Sequence, residues 1–282
     1  MSFTRLSLRQ RRLIDGWMPG ARVLADLSWL LGVTTVLHVS WESREFVVKA
    51  GAEANHHIGR ELDAHESGST DVWTATGQTG RLSHADRDAR LLVLSFLPGA
   101  LAYGAAAALD PDVHRRAGAL LRVFHRQESR PSAGTDAAAS RRALAWLDSE
   151  HAIAPEIEER LRDLLEKWAP IEAPLVPTHG DWQPRNWLVD GETVRVIDFG
   201  RFAFRPAATD FVRLAAQEWR EVPECEAAFL DGYGGDPRHP DHWRLMRLRE
   251  AIGTAVWAHQ VGDAAFEAQG HRMIAEVLAE HG

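Results

Sequence analysis

The chain has 282 residues, of which 45% are hydrophobic and 26% charged, a composition typical of a globular protein with one large domain or two lobes. Its formal net charge of -8 argues against nucleic acid as the main partner, because phosphate backbones are bound by basic surfaces. The single cysteine, Cys225, excludes an intrachain disulfide, and the N-terminal segment has no apolar run long enough for a signal peptide or a membrane span. We therefore expect a cytoplasmic protein whose partner is neither nucleic acid nor a membrane.

The first 98 residues are rich in predicted strands. After an N-terminal helix, residues 32–50 predict two strands joined by a turn near Glu42 to Arg44, and residues 54–67 predict a short helix. Further strands are predicted at residues 72–76 and 90–97, the second of which ends at Pro98 and Gly99. We expect residues 1–98 to form one strand-rich unit.

Beyond Gly99 the hydrophobic pattern changes to that of helices. Helices are predicted at residues 112–127, 140–150, 154–169, 210–222, 224–234, 242–261 and 267–281. Residues 128–140 are small and polar and predict a loop. The expected fold class is therefore α+β, with Pro98 and Gly99 as the hinge to a larger helical part, residues 99–282.

Lysine is rare in this chain. Of 32 Lys and Arg residues, only Lys49 and Lys167 are lysines. Lys167 lies beside Glu166 in a predicted helix, where another cation would serve equally well. Lys49 ends the predicted strand "REFVVKA", and a compact ammonium differs from a planar guanidinium where it must sit between phosphate oxygens and a carboxylate. Lys49 is therefore the candidate functional lysine.

The segment "THGDWQPRNWLVDGETVRVIDFGR", residues 178–201, carries the strongest chemical signal. Its "WLV" and "VRVI" runs predict a hairpin across the turn "DGE", which would bring Asn186 and Asp198 side by side. Their oxygens suit Mg²⁺, and Asp181 would lie close enough to accept a proton from an attacking hydroxyl. The alternative is that these residues only form surface turns.

This segment resembles the motifs of the aminoglycoside phosphotransferase family of kinase-like enzymes, which includes choline, homoserine and fructosamine kinases. Besides "HGDWQPRN" and "VIDFG", four further runs match the family in order and spacing: "VVKA", "RLLVLSFLPG", "GALLRVFH" and "ATDFVRLA". The resemblance implies a bilobal protein-kinase-like fold. Residues 1–98 would form a small antiparallel-sheet lobe that binds nucleotide, and residues 99–282 a helical lobe for catalysis and substrate binding.

The resemblance also implies roles for single residues. Asp181 would be the general base, and Asn186 and Asp198 the Mg²⁺ ligands. Lys49 would contact the phosphates of ATP, with GTP as the alternative donor. His179 would brace the catalytic loop.

Supporting roles are implied for five further positions. Glu61 would hold Lys49 in place, with Glu53 as a competitor and a solvated helix surface as the alternative. The backbone of Ser95 and Leu97 would hold the adenine edge. Asp210 would be a structural hydrogen-bond acceptor.

The chain departs from the family pattern at three places. The loop before the second strand has one glycine, Gly32, where the family often has more, and its Thr34 and Thr35 are either phosphate donors or strand formers. Arg185, four residues after Asp181, would approach the transferred phosphoryl group or form a structural ion pair. Gln183 stands where Ser/Thr kinases carry a lysine.

The helical lobe would carry the acceptor pocket. Trp257, His259 and Asp263 lie at helical spacing and are candidate substrate contacts, with ordinary core or surface positions as the alternative. Residues 207–282 hold 13 acidic residues against 7 arginines, and acidic groups with Trp faces suit a cationic acceptor. A solvated acidic helix surface explains the same excess.

The spacing also bears on the class of acceptor. Only 12 residues separate Asp198 from Asp210, too few for a peptide-docking activation loop, so a protein substrate is disfavoured. A regulatory pseudokinase is disfavoured because base, metal ligands and lysine are all present. The arginine-rich composition resembles that of actinobacterial proteins, among which such enzymes inactivate antibiotics. We expect a kinase for an aminoglycoside, basic peptide or nucleoside antibiotic, with a kinase for choline, a sugar or a hydroxy amino acid as the alternative.

Overall fold

The structure, a computed structural model, describes residues 3–29, 34–52, 54–132 and 134–280. The N-terminal part is built on a five-stranded antiparallel sheet with the order β1-β2-β3-β5-β4. Its strands are β1 (Arg22–Asp26), β2 (Thr34–Trp41), β3 (Arg44–Gly51), β4 (Leu82–Asp86) and β5 (Leu91–Ser95). The helices before residue 98 are α1 (Leu8–Trp17), α2 (His56–Glu66) and α3 (Asp71–Thr74).

The hairpin between β2 and β3 turns through Glu42 and Ser43, as the sequence predicts. Both residues have positive φ, 48° and 61°, the conformation of the tight turn whose twist matches that of paired strands. The register that follows from this turn pairs Val36 with Lys49. Lys49 is thereby fixed on the middle strand of the sheet.

The C-terminal part is mainly helical and contains two small antiparallel sheets, one with the order β6-β8-β9 and one that pairs β7 with β10. Its strands are β6 (Ala100–Leu101), β7 (Val176–Thr178), β8 (Trp187–Asp190), β9 (Thr193–Val196) and β10 (Ala203–Arg205). Its helices are α4 (Pro111–His125), α5 (Thr135–Leu147), α6 (Pro155–Lys167), α7 (Val212–Ala216), α8 (Glu218–Glu221), α9 (Pro223–Tyr233), α10 (Pro240–Val261) and α11 (Ala264–Ala279). Among the described helices, none combines the length and the apolar character that a membrane crossing requires.

An aromatic cluster fills the core next to the β8-β9 hairpin. Trp73, Trp182 and Trp187 are buried there together with Phe124 and Phe199. The rings of Trp73 and Phe124 stack with their centroids 4.3 Å apart. A second apolar core lies between α5, α6, α10 and α11. The hairpin therefore rests on closely packed side chains that resist displacement.

Residues 77–79 join the sheet part to strand β9, and we call this junction the seam. Val196 N donates to Gln78 O at 2.7 Å, and Thr79 Oγ1 donates to Val196 O at 2.8 Å. Arg195 Nε donates to Gly77 O at 3.2 Å. Since the aromatic core of the helical part also includes Trp73, the chain contacts that part well before residue 98. The domain boundary at residues 98 and 99 stays a prediction.

Two secondary-structure predictions were wrong. Residues 72–76, predicted as a strand, contribute to helix α3, because the helical turn inserts Trp73 into the aromatic core, which outweighs the strand propensity of Val and Thr. Residues 128–140, predicted as a loop, include the start of α5 at Thr135, where successive alanines favour helix.

Helices α4 and α9 approach so closely that glycine is required at their contact. A Cβ atom added to Gly118 on α4 would overlap the carbonyl oxygen of Phe229 on α9 and lie 3.0 Å from Tyr233 N. We expect Gly118→Ala to lower the free energy of unfolding by about 2 kcal/mol, because the overlap forces the helices apart. Urea denaturation followed by circular dichroism measures the change.

Gly16→Ala is the matched control, since Gly16 lies in helix α1 and an added Cβ would meet nothing within 4 Å. This variant should unfold no more easily than the wild type, because alanine favours helix over glycine. Equal stability of the two variants would contradict the close contact between α4 and α9.

Candidate active site

Lys49 links the sheet, helix α2 and the segment after β9. Its Nζ atom lies 2.8 Å and 2.9 Å from the two carboxylate oxygens of Glu61 and 3.5 Å from Asp198 Oδ1. Lys49 and Glu61 are both buried. Burial opposes the charge of the ammonium, but the carboxylates of Asp198 and Glu61 raise the pKa of Lys49 above its ordinary value. Lys49 is thus a fixed cation inside the site.

The competing carboxylate, Glu53, and the glycine of the expected phosphate loop, Gly32, lie outside the described residues. Thr34 and Thr35 are the first residues of strand β2. The Thr34 hydroxyl accepts a hydrogen bond from Asn55 Nδ2 at 2.8 Å, which agrees with a strand residue that also braces the start of α2.

Asp210 holds the loop that carries Asp181. Its carboxylate accepts hydrogen bonds from the backbone N–H groups of His179 at 2.9 Å and Gly180 at 2.6 Å, and pairs with His125 Nε2 at 3.0 Å. Burial opposes ionisation, but His125 and these N–H groups lower the pKa of Asp210. The His179 ring in turn contacts Ile197 O at 3.1 Å. The contacts of Asp210 are those of a structural hydrogen-bond acceptor. The contact of the His179 ring braces the loop that carries Asp181, as the family resemblance implies.

Gly180 is required because no side chain fits at its position. Its φ is +81°, and an added Cβ would collide with Arg201 O and with the Arg205 guanidinium. Arg205 Nη1 also donates to Thr178 Oγ1 at 3.2 Å, and its Nη2 donates to Arg201 O at 2.9 Å. The residue before Asp181 is therefore packed against two arginines.

The Asp181 carboxylate is buried and hydrogen-bonded from two directions by amide groups. Gln183 Nε2 donates to Oδ1 at 2.6 Å, and Asn186 Nδ2 donates to Oδ2 at 3.0 Å and to the Asp181 carbonyl oxygen at 2.8 Å. The carboxylate is held in one orientation.

Two arginines pair directly with Asp181. Arg185 Nη2 lies 2.8 Å from Oδ2, and Arg213 Nη1 contacts Oδ1 while its Nε donates to Glu250 at 3.0 Å. Burial would raise the pKa of Asp181, but the positive charges of Arg213, Arg185 and Arg201 outweigh it and lower that pKa well below its usual range. Asp181 is therefore ionised throughout the physiological pH range.

Asn186 and Asp198 stand side by side, as the predicted hairpin requires. Trp187 pairs with Val196 in the β8-β9 register, and the next hydrogen bond runs from Ile197 N to Asn186 O at 3.1 Å. Asp198 has a positive φ of 69°, a conformation that costs free energy in a residue other than glycine and often marks functional sites.

The donor set fits a hard divalent cation. Because the amide nitrogen of Asn186 is used by Asp181, its oxygen points elsewhere and accepts no hydrogen bond within the described part of the chain. No cluster of three or more His, Cys, Asp or Glu side chains suited to a metal occurs among the described residues. A carboxylate and an amide oxygen suffice for Mg²⁺, which keeps several water ligands and shares phosphate oxygens.

The predicted hinge follows the end of strand β5. Ser95 is the last residue of that strand, Phe96 N donates to Glu45 O at 3.0 Å, and Leu97 is buried. Strand β6 then pairs with β8, which places the hinge beside the hairpin that carries Asn186.

No hydrogen bond or ion pair among the described residues joins the predicted substrate residues to Asp181. Trp257 is exposed on α10 and packs edge-on against Phe266, with ring centroids 5.9 Å apart. His259 Nδ1 pairs with Glu267 at 2.9 Å, and Asp263 caps α11 by accepting a hydrogen bond from Phe266 N. His259 and Asp263 thus have structural partners, and a substrate role for the three residues stays a prediction.

Two arginines of the site were not predicted from the sequence. Arg201 follows the "DFG" run directly, and Arg213 comes three residues after Asp210. Their proximity in sequence to recognised motif residues was the available signal.

Glu218 on α8 is a buried carboxyl group near this site. Its Oε2 atom accepts no hydrogen bond among the described residues, and a cavity of about 640 Å³ lined by Tyr103, Gln217 and Gln269 adjoins it. Burial raises the pKa of Glu218 to about 7. This carboxyl group therefore stays protonated in the folded protein under mildly acidic conditions.

Comparison with known proteins gives a consistent result. Residues 34–248 match the family model of the phosphotransferase enzyme family APH. No curated protein matches the chain significantly. An aminoglycoside-3'-phosphotransferase of type VIII is 25% identical in sequence, with a TM-score of 0.62 over 86% of this chain and 98% of its own.

Two more distant structures share the fold. The aminoglycoside phosphotransferase APH(4)-Ia, in a ternary complex of a thermostable mutant with ADP and hygromycin B, is 12% identical with a TM-score of 0.65 over 96% of this chain and 97% of its own. Choline kinase LicA from Streptococcus pneumoniae is 12% identical with a TM-score of 0.65 over 97% and 100%. The fold is thus kinase-like, with an antiparallel-sheet N-terminal lobe and a helical C-terminal lobe, as predicted.

The protonation of Glu218 makes stability depend on pH. Its pKa is about 7 in the folded protein and near its ordinary 4.5 after unfolding, so the stability that this carboxyl group contributes is fully present below pH 4.5 and is lost as the pH rises through 7. We expect Glu218→Gln to unfold at a higher temperature than the wild type at pH 8 but not at pH 4.5, with a gain of up to about 3 kcal/mol.

Glu192→Gln, a change at an exposed position in the turn between β8 and β9, is the control for the loss of one charge. Thermal unfolding at the two pH values measures both variants. A Glu218→Gln gain that is equal at pH 4.5 and 8 would contradict the raised pKa.

Proposed function

This chain belongs to the phosphotransferase enzyme family that matches residues 34–248, and we propose that it transfers the γ-phosphate of ATP to a hydroxyl group in a Mg²⁺-dependent reaction. Its family and its kinase-like neighbours make it a small-molecule phosphotransferase. The observation that best supports ATP as the donor and Mg²⁺ as the metal is that Lys49, Asp181 and Asp198 meet at one site. Phosphoryl transfer requires a cation for the phosphates, an acceptor for the hydroxyl proton and a metal ligand in this arrangement.

Asp181 orients the acceptor hydroxyl in this proposal. Its low pKa makes it a weak base towards a free hydroxyl, whose proton is far less acidic. As the bond from the hydroxyl oxygen to the γ-phosphorus forms and the bond from that phosphorus to the bridging oxygen of ATP breaks, ADP leaves. The hydroxyl proton becomes acidic during this step, and Asp181 takes it late. The carboxylate therefore contributes mainly by position, which the hydrogen bonds from Gln183 and Asn186 secure.

The nucleotide would lie between the sheet and the β8-β9 hairpin. Lys49 would contact its phosphates, and the backbone of Ser95 and Leu97 would contact the base. Asn186 and Asp198 would hold Mg²⁺, which when bound would neutralise charge on the phosphate oxygens. Neighbouring structures contain ADP or AMP-PNP, which supports ATP over GTP as the donor.

Arg185 would reach the transferred phosphoryl group in this proposal. One of its guanidinium nitrogens pairs with Asp181, while 40% of the side chain remains exposed and available to a ligand. A guanidinium at this position would stabilise the charge that spreads over the phosphoryl oxygens. We assign it a catalytic role as well as an ion pair.

Two classes of acceptor are consistent with the family. Neighbours include aminoglycoside and macrolide phosphotransferases, which supports an antibiotic acceptor that phosphorylation would inactivate. A choline kinase among them supports a metabolic acceptor as the alternative. Many antibiotics of the expected types are cations. The sign of the charge that the protein carries near Asp181 therefore bears on whether such an antibiotic would be accepted. We also propose a cytoplasmic location, where the donor nucleotide is made.

The variant Asp181→Asn tests the proposed function. We expect this variant to lower phosphate transfer and any slow ATP hydrolysis by roughly 10³-fold, because the amide cannot accept the proton. ATP affinity, measured by calorimetry with Mg²⁺, should change little. Asp190→Asn, an exposed position in the turn of the same hairpin, is the control and should keep full activity. A pseudokinase would show no transfer or hydrolysis even in the wild type.

A second prediction separates the two roles of Arg185. Arg185→Lys keeps a positive charge beside Asp181 but loses the planar fork, so we expect kcat to fall roughly 10-fold to 100-fold with little change in the KM for ATP. Steady-state kinetics measures both constants. Full activity of Arg185→Lys, together with loss in Arg185→Gln, would limit Arg185 to a structural ion pair.

A further inference from the structure

Four arginines, two of which lie against Gly180 in the Asp181 loop, form no ion pair with a carboxylate among the described residues. Arg201 and Arg205 are half-buried, whereas Arg60 and Arg142 are exposed. Of the four, only Arg205 forms side-chain hydrogen bonds within the described part of the chain, and both go to neutral oxygens. We call Arg60, Arg142, Arg201 and Arg205 the arginine cluster.

The cluster is assembled from separate elements that meet beside the catalytic loop. Arg60 comes from α2, Arg142 from α5, Arg201 from the segment after Asp198 and Arg205 from β10. Helix α2 is joined to that segment by the contact of His57 Nδ1 with Gly200 O at 2.9 Å. Arg205 lies against Gly180, the residue before Asp181.

The positive charges lie close enough to disfavour one another. Burial lowers the pKa of Arg205, Asp210 opposes this effect, and the charges of Arg60, Arg201 and Arg142 add to the lowering, so that the pKa is about 10. The charge of Arg213 and burial likewise lower the pKa of Arg201. Such repulsion costs stability in the free protein and is relieved when an anion binds.

The nearby carboxylates are already engaged. Asp136 on α5 pairs with Arg249 and with His242 Nε2 at 3.1 Å, and the Arg249 Nη2 atom donates to Ser140 Oγ at 2.7 Å. Glu250 pairs with Arg213 at 3.0 Å. The described carboxylates thus leave the positive charge of the cluster in excess.

The acidic excess of residues 207–282 lies elsewhere. Glu280 pairs with Arg247, Glu276 with Arg220, and Glu267 with His259, all through contacts on α10, α11 or α8. Glu280 and Glu276 thus have arginine partners within the protein, and Glu267 has a histidine partner. The acidic excess therefore gives little support to the cationic acceptor that the sequence suggested.

We propose that the acceptor carries an anionic group, a carboxylate or a phosphate, which the arginine cluster binds while the acceptor hydroxyl lies at Asp181. The inference rests on the proposed function, because it concerns the second substrate of the same reaction. Two separated anchors, one for the anion and one for the hydroxyl, would fix the acceptor for transfer. An acidic metabolite or acidic natural product fits this site better than an aminoglycoside.

The first experiment compares acceptors that differ in charge. Purified protein with Mg²⁺ and ATP is assayed for ADP release with hydroxy acids, sugar phosphates, the corresponding neutral sugars, choline and aminoglycosides. We expect transfer to the hydroxy acids or to the sugar phosphates. Comparison of these two sets of acceptors identifies whether a carboxylate or a phosphate is bound. Transfer to neutral or cationic acceptors alone would overturn the inference but leave the proposed function intact. Absence of both transfer and acceptor-independent ATP hydrolysis would overturn the proposed function instead.

The second experiment needs no turnover. The γ-phosphate position is filled with AMP-PNP and Mg²⁺, and inorganic phosphate or acetate is then added while the unfolding temperature is measured. We expect either anion to raise that temperature in the wild type and to raise it much less in Arg142→Gln. Arg160→Gln, an exposed position on α6, is the control and should respond like the wild type. No anion effect, or an equal effect in Arg142→Gln, would overturn the inference.

Kinetics then separates the acceptor from the nucleotide. For an accepted anion, Arg142→Gln should raise the acceptor KM at least tenfold while the ATP KM and kcat stay nearly constant. If the ATP KM rises instead, the cluster serves the nucleotide phosphates and the inference is wrong.

Discussion

The buried carboxylate of Asp210 fixes the loop that carries Asp181, because it accepts two successive backbone N–H groups and a histidine from a different helix. A carboxylate at this depth is stable only when its hydrogen bonds are complete, so the loop, α4 and the segment before α7 are ordered together. The positions of Asn186 and Asp198 depend on the same loop through the β8-β9 hairpin. The geometry of the site is therefore set by a group that need not touch a substrate.

Local patterns predicted much of this arrangement. The turn "DGE" fixes the register of its hairpin, so the meeting of Asn186 with Asp198 could be foreseen from spacing alone. The wrong prediction of a strand at residues 72–76 could not be avoided by local patterns. The burial of Trp73, which favours the helix there, depends on Phe124, a residue far along the chain. The same limit applies to the arginine cluster, whose four residues come from four segments that only the tertiary fold brings together.

The preference for arginine acquires a physical meaning in the folded chain. Arg195, Arg205, Arg213 and Arg249 each contact two or more groups at once, which the several donors of one planar guanidinium allow. Lys49 also joins two segments, but it does so with a single nitrogen that lies between the carboxylates of Glu61 and Asp198 in a buried space. A compact ammonium fits that space, and the same cation is the one proposed to contact the nucleotide.

The seam has a mechanical consequence. Because residues 77–79 are hydrogen-bonded to β9 only two residues before Asp198, any rotation of the sheet against the helices must pivot near the reacting groups. Points near a pivot move little, whereas the outer strand β1, at the far edge of the sheet, moves most. A rotation about the seam would therefore leave the distance between Lys49 and Asp198 nearly constant while the outer part of the sheet moved.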